Sequence, residues 1–222
     1  MHSSIKQLNL IKNKVNKIID EKQLKTKPEI IVVTKTFPLE KILPLLDYGH
    51  THYGENKVQE AEIKWQQIKS KYNKIQLHMV GKLQTNKAKK AVSIFDYIHS
   101  LDSDRLATKI SLAQQELNKK VNLFIQVDLA GEVQKSGIDK NNLINFYNYC
   151  TNDLSLNVVG LMCLPPVDLN SVDFFKMLND LCKKINLKDL SMGMSSDFEE
   201  AVLCGSTYLR LGTLIMGSRK II

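Results

Sequence analysis

The sequence predicts an α/β fold: a single (β/α)8 TIM barrel with an extra helix at its N-terminus. Three observations predict it. After Pro28, short apolar runs rich in Ile, Val, Leu and Phe alternate with longer amphipathic stretches, the pattern of repeated βα units in a parallel sheet. Several runs are apolar at successive positions, as strands buried on both faces are. The runs number eight, and eight βα units suggest a closed barrel. A doubly wound open sheet is the alternative, and the absence of G-x-G-x-x-G after the first run argues against its dinucleotide-binding form.

The elements follow in order. Over Ile5–Glu21, Leu8, Ile11, Val15, Ile18 and Ile19 recur at spacings of three and four with lysines between them, so this segment reads as an amphipathic helix packed on a core. Candidate strands occupy Glu29–Thr34, His50–Gly54, Gln76–Gly81, Tyr97–Ser100, Asn122–Asp128, Val158–Cys163, Asp189–Met192 and Tyr208–Gly212. Candidate helices lie near Leu39–Asp47, Asn56–Ser70, Asn86–Val92, Asp104–Asn118, Asn141–Tyr149, Val172–Lys184 and Asp197–Leu203. No Pro/Gly/Ser-rich linker or shift in composition divides the chain, so residues 1–222 are expected to form one domain, with residues 1–27 as a helix packed on the barrel. The chain is short against the ~250 residues typical of such barrels, so its loops must be short. Few residues follow the eighth strand, and the N-terminal helix is expected to cover the place of a closing helix.

Composition narrows the function classes. With 222 residues, 43% hydrophobic and 24% charged, the chain is neither a disordered tail, a collagen-like repeat nor a disulfide-stapled miniprotein. No apolar run approaches the ~18–20 residues of a membrane span. Met1-His2-Ser3-Ser4-Ile5-Lys6 lacks a secretory apolar core, and Asp20-Glu21 argues against a transit peptide, so the expected compartment is the cytoplasm, with no membrane partner. The net charge of +8 invites an anionic partner. Yet among 31 basic residues only Arg105, Arg210 and Arg219 are arginine, and the lysines are spread along the chain. The lysine-rich stretch Lys82–Lys90 holds no aromatic residue to stack on bases, so it reads as a solvated helix face and no nucleic-acid partner is expected. Cys150, Cys163, Cys182 and Cys204 show no C-x-x-C spacing and read as buried reduced thiols. His50 and His52 alternate as strand neighbours would, but further ligands are missing, so no metal is expected.

In a barrel of this kind chemistry sits at the C-terminal ends of the strands, and that rule selects residues. Lys35 closes the apolar run Ile30-Ile31-Val32-Val33. At a barrel mouth, partial desolvation lowers an amine from its pKa of ~10.4, and the neutral amine is what attacks an aldehyde to form an imine. The position alone also fits a lysine just past the strand that snorkels into water. The loops after strands seven and eight, where barrels often bind phosphate, carry Gly193, Ser195, Ser196, Gly212 and Thr213. Ser196 could cap the helix beginning near Asp197. The same residues also suit ordinary short βα turns. Arg210 lies inside an apolar strand, and an inward arginine needs an acceptor because it cannot lose its proton. A ligand ring nitrogen, a ligand carboxylate or a neighbouring Asp or Glu would each serve.

Six stretches then carry a resemblance: Val33-Thr34-Lys35-Thr36-Phe37-Pro38, Tyr53-Gly54-Glu55-Asn56-Lys57-Val58-Gln59-Glu60, His78-Met79-Val80-Gly81-Lys82-Leu83-Gln84-Thr85-Asn86-Lys87, Lys135-Ser136-Gly137, Gly160-Leu161-Met162 and Leu190-Ser191-Met192-Gly193-Met194-Ser195. With Gly205–Thr213 and Met216-Gly217-Ser218-Arg219, they run in order from about residue 30 to residue 219. In these stretches the chain resembles the pyridoxal phosphate homeostasis proteins, small barrels similar to the N-terminal domain of alanine racemase. The resemblance implies a fold of that type and a site for pyridoxal 5′-phosphate (PLP). It implies that Lys35 forms the internal aldimine, that Asn56 contacts the cofactor ring region, and that Ser191, Gly212 and Thr213 hold the phosphate. It implies that Arg210 faces the pyridine nitrogen, which keeps that nitrogen unprotonated and the ring a weak electron sink. Lys82 stands where the family commonly has a second histidine, and Leu77 where tryptophan is common. Neither is the imine lysine, so cofactor binding is expected to survive.

The first reading of function is a non-catalytic PLP-binding protein that buffers the cofactor or delivers it to apo PLP-dependent enzymes, with a monomer as the family-level expectation and no catalytic residue assigned. The alternative is a PLP-dependent amino-acid racemase. A racemase of this barrel class needs a second base, usually a tyrosine from an additional domain, for which the chain has no residues left. Nucleic-acid binding through the basic surface is the third and weakest reading.

Overall fold

The computed structural model describes residues 1–131 and 136–218. Among these residues nine strands run in chain order: β1 (Glu29–Val33), β2 (His52–Glu55), β3 (Gln76–Met79), β4 (Tyr97–Leu101), β5 (Asn122–Asp128), β6 (Ile138–Asp139), β7 (Val158–Met162), β8 (Asp189–Ser191) and β9 (Tyr208–Leu211). All but β6 form one closed parallel barrel in the order β1-β2-β3-β4-β5-β7-β8-β9. Closure is made by β9 against β1, with Glu29 beside Tyr208 and Val32 beside Leu211. The two-residue β6, which the sequence pattern does not reveal, adds to β5 through Val127 and Asp128.

Alternate residues of each strand divide two environments. Ile30 and Val32 of β1 face outward and share a core with Leu8, Ile42 and Leu45 of the surrounding helices. Facing inward, β2 to β5 and β9 bring together rings: His52, His78, Tyr97, His99, Phe124 and Tyr208. His78 stacks on Tyr97 at 4.4 Å and His99 on Phe124 at 4.3 Å between ring centroids. The barrel interior is therefore an aromatic and imidazole column rather than the branched aliphatic filling common in the class.

The helices are α1 (Ser3–Lys22), α2 (Leu39–Asp47), α3 (Val58–Trp65), α4 (Ala88–Ile94), α5 (Asp104–Leu117), α6 (Leu143–Asn148), α7 (Ser171–Lys184), α8 (Phe198–Leu203) and α9 (Thr213–Met216). Helix α1 starts where His2 accepts the Ser4 N–H and ends at Gln23 in the left-handed region. It buries Leu8, Ile11 and Val15 and packs on α2, α8 and the single turn of α9. It thus packs beside the strand closure of β9 on β1, against the single turn that follows β9.

Several boundaries differ from the sequence expectation. Strand β2 begins at His52, not His50. The His50 N–H closes α2 by donating to Leu45 O at 3.0 Å, after Gly49 turns the chain at φ +87°, so His50 is spent on the helix end. Helix α3 stops at Trp65, and residues 66–72 continue as tight turns held where Lys69 donates to the Asp96 carboxylate and Ile94 O. The expected helix at Asn86 opens with a 3-10 turn over Thr85–Lys87, and α6 runs on into a π turn over Tyr149–Asp153. These ends depend on tertiary anchors that no local pattern carries. The four cysteines are buried and unpaired, as expected. Among the described residues no helix is long and apolar enough to cross a membrane.

Gly160 on β7 lets β8 approach: a Cβ there would stand 2.1 Å from Asp189 O. Gly160→Ala is expected to destabilise the fold by about 3 kcal/mol, the range of overpacking in a tight core. Gly205→Ala meets only Asn179 Nδ2 at 3.5 Å at φ +88° and is expected to cost about 1 kcal/mol, from backbone strain alone. Urea unfolding of the two variants checks the contrast.

Candidate functional site

A cavity of about 620 Å³ opens at the C-terminal ends of the strands, and Lys35, Asn56, Arg210, Gly212 and Thr213 all lie on its wall. Each arrives there for a local reason. Lys35 lies in the turn just past β1 and is half-buried. Asn56 follows β2, and the absence of a side chain at Gly81 lets it sit close: a Cβ on Gly81 would stand 2.4 Å from Asn56 O. Gly212 and Thr213 start α9 immediately after β9. The loop after β8 adds Ser195 and Ser196. Gly193 turns that loop at φ +91°, at a point where a Cβ would meet Ala201 Cβ at 2.5 Å.

The backbone on both sides of Lys35 is clamped by a buried ionic network. Glu55 is fully buried at the end of β2. Its Oε1 accepts from Thr34 Oγ1 at 2.6 Å, from Lys64 Nζ at 2.8 Å and from the Trp65 indole at 3.0 Å. Lys64 also donates to Thr34 O at 2.9 Å and to Glu60 Oε1 at 3.0 Å. Glu60 in turn accepts the Thr36 N–H at 2.5 Å. Thr36 is held at φ +66°, a conformation that a β-branched residue adopts only under constraint. Residues 34 and 36 are thus pinned from α3, which fixes where residue 35 projects.

Arg210 is 5% exposed. Its Nη1 donates to Ser191 Oγ at 2.7 Å and its Nη2 to Cys163 O at 2.9 Å. Of the acceptors the sequence left open, a paired Asp or Glu is not the one found: among the described residues Arg210 forms no ion pair. Ser191, expected on the phosphate, is fully buried beneath Arg210 and does not lie on the cavity wall. Its hydroxyl lies 2.7 Å from both Arg210 Nη1 and His99 Nδ1, because the inward register of β8 places it inside the barrel. Ser196 does not cap α8 either. Asp197 occupies the cap position, and its carboxylate turns back to accept the Met194 N–H at 2.6 Å, which leaves Ser196 at the cavity mouth.

Beneath Arg210 lie histidines driven toward the neutral form. Burial holds His78 and His99 well below the ordinary imidazole value, helped by mutual proximity for His78 and by the Arg210 charge for His99. Burial also lowers His52, against the pull of Glu29. His50 is lowered to about 4, first by burial and then by the Lys12 charge.

A model of the alanine racemase N-terminal domain matches residues 7–220. The pyridoxal phosphate homeostasis protein of Haemophilus influenzae is 31% identical over 224 residues, covering 96% of this chain and 94% of that one. That of Aquifex aeolicus is 36% identical, covering 86% and 87%. The chain belongs to the pyridoxal phosphate homeostasis family of alanine racemase N-terminal-domain proteins. Among solved structures of the family, PipY of Synechococcus elongatus PCC7942 with PLP bound is 32% identical, covers 91% of this chain and 100% of its own, and superposes with a TM-score of 0.78.

Within this family frame, sequence reasoning brought five of its six site residues to one cavity and missed what supports them. The Glu55–Lys64–Glu60 clamp and the histidines were not foreseen. A usable signal exists for the latter: one histidine falls on each of three successive strands, at His52, His78 and His99. Gln126 is also new to the wall, where its Nε2 donates to Ser136 O at 2.8 Å. Lys135 and Arg219, quoted in the motifs, lie outside the described residues. Among the described residues no cluster of His, Cys, Asp and Glu could hold a metal.

Two outcomes follow from this geometry. Lys64→Met strands a buried carboxylate and is expected to destabilise the protein by about 3–5 kcal/mol. Adding Glu55→Gln is expected to recover part of that loss, as read by urea unfolding of the single and double variants. For the histidines, the unfolded chain takes up protons near pH 6.5 while the folded chain stays neutral toward lower pH. Stability is therefore present above pH 6.5 and lost as pH falls toward 4. The loss reaches up to about 1.4 kcal/mol per pH unit for each buried imidazole. The urea midpoint is expected to drop steadily between about pH 7 and about pH 5.

Proposed function

We propose that this chain binds PLP in the cavity at the barrel mouth, holds it through a covalent imine to Lys35, and serves to buffer or deliver the cofactor without catalysing a reaction of its own. The observation that carries the reading is the placement of Lys35 and the buried Arg210 on one cavity wall, together with the Ser195, Ser196 and Thr213 hydroxyls. The donor set fits the group. Lys35 contributes an amine for an aldehyde, the hydroxyls suit a phosphate, and a guanidinium, which can only donate, suits a ring nitrogen that accepts. The PLP-bound structure of PipY, at 32% identity, supports the same reading.

When bound, PLP supplies an aldehyde that condenses with an amine, releasing one water. Lys35 must give up its ammonium proton before its nitrogen can attack, and the clamp on Thr34 and Thr36 holds the backbone from which it does so. Arg210 keeps a facing ring nitrogen unprotonated, which works against carbanion chemistry. The names carried by the relatives, homeostasis proteins rather than enzymes, favour a carrier over a racemase. The working picture is a cytoplasmic monomer that exchanges PLP with apo PLP-dependent enzymes.

The test is intact mass after incubation with PLP, with and without borohydride, beside Lys35→Ala. Borohydride is expected to fix one adduct on Lys35 that is absent from the variant. Adducts scattered over many lysines, or none, overturn the cofactor site. Alanine racemization that depends on both PLP and Lys35 overturns the non-catalytic reading alone.

A further inference from the structure

A line of hydrogen-bonded side chains runs through the barrel from its N-terminal rim to Arg210. His52 Nδ1 lies 2.9 Å from His78 Nε2, and His78 Nδ1 lies 2.9 Å from His99 Nε2. His99 Nδ1 lies 2.7 Å from Ser191 Oγ, which accepts from Arg210 Nη1 at 2.7 Å. At the other end His52 Nε2 faces the exposed Glu29 carboxylate at 3.8 Å. His78, His99 and Ser191 are within 1% of complete burial.

The direction of this line follows from its ends. A guanidinium only donates, so Ser191 Oγ is an acceptor toward Arg210 and its single hydrogen is left for His99 Nδ1. A neutral imidazole carries one N–H. His99 then donates from Nε2 to His78 Nδ1, His78 donates from Nε2 to His52 Nδ1, and the His52 Nε2–H is turned toward Glu29. The reverse order would make Ser191 accept twice, turn its own hydrogen away from both partners, and aim a lone pair of His52 at a carboxylate. A protonated imidazole would donate at both nitrogens and break the sequence. The groups facing the line are Glu29 on β1, His50 before β2, Tyr97 on β4, and Tyr208 and Arg210 on β9. Burial pushes His78 and His99 toward the neutral form.

We propose that His52, His78 and His99 form a single-direction tautomer chain that, through Ser191, presents its acceptor end to Arg210 and anchors its donor end at Glu29. These are positioning residues. Each link adds a dipole whose negative end faces the guanidinium, and aligned links polarise one another. The chain does for a buried arginine what a carboxylate does elsewhere, without adding a second buried charge. Its effect on bound PLP rests on the reading given under Proposed function; the chain itself does not.

The test begins with cofactor-free protein labelled with ¹⁵N at histidine. Expected are the Nε2–H tautomer at His52, His78 and His99, without averaging, and nitrogen–nitrogen couplings across the two imidazole–imidazole hydrogen bonds. An Nδ1–H form, a tautomer mixture or a charged imidazole at any of the three overturns the proposal. In the second arm, Ser191→Ala deletes only the hydroxyl, and His99→Phe keeps the ring but not the nitrogens. Both are expected to speed hydrogen exchange of the Arg210 guanidinium by about tenfold or more, the loss expected when a hydrogen bond to a charged group is removed. His99→Asn, which restores an acceptor for Ser191, is expected to reverse the effect. The absorption band of the borohydride-reducible PLP adduct is expected to move in the same two variants. An unchanged Arg210 exchange rate and an unchanged band overturn the proposal while the Lys35 adduct stands. Absence of any adduct in the unsubstituted protein sinks the PLP reading alone, because the tautomer and exchange arms do not use the cofactor.

Discussion

Arg210 is buried in a closed barrel and cannot lose its proton. Much of the interior is organised around that constraint. An isolated buried charge is too costly to leave alone, and the described structure gives it no ion pair. Ser191, the Cys163 carbonyl and the histidines beneath supply oriented lone pairs instead. This explains why the inward faces of β2, β3 and β4 carry imidazoles where other barrels of the class carry branched aliphatic side chains. It also explains why Ser191 belongs to the floor of the site rather than to its wall.

On the opposite side of the cavity the logic is inverted. Lys35 sits on a short turn rather than inside a strand, and a turn by itself would leave it loose. Glu55, Lys64 and Glu60 remove that freedom by gripping the residues before and after it. The site is thus two rigid halves, one fixed by the barrel interior and one by α3, with the loops after β8 and β9 closing the rim.

The fold was largely legible because burial on both faces of parallel strands writes itself as unbroken apolar runs, and because Leu8, Ile11 and Val15 at spacings of three and four mark α1 as a helix packed on a core. The convergence of Lys35, Asn56, Arg210, Gly212 and Thr213 on one cavity was legible because this architecture brings the C-terminal ends of its strands together at one mouth. The inward placement of Ser191 was not legible for a reason of register: one residue decides whether a side chain points into the barrel or lies on its rim, and sequence spacing near a strand end does not resolve one residue. Glu55 and Lys64 were hidden because ion pairing across nine positions of chain leaves no periodic trace. The short β6 was hidden because two residues carry no pattern at all.

Trp65 is the chain's only tryptophan, and its indole N–H rests on the same Glu55 oxygen that helps clamp the Lys35 turn. Indole emission follows the local electric field. The protein therefore contains a native optical probe one carboxylate removed from Thr34, the neighbour of the residue proposed to take the cofactor. Its colour reports the state of that carboxylate without any label.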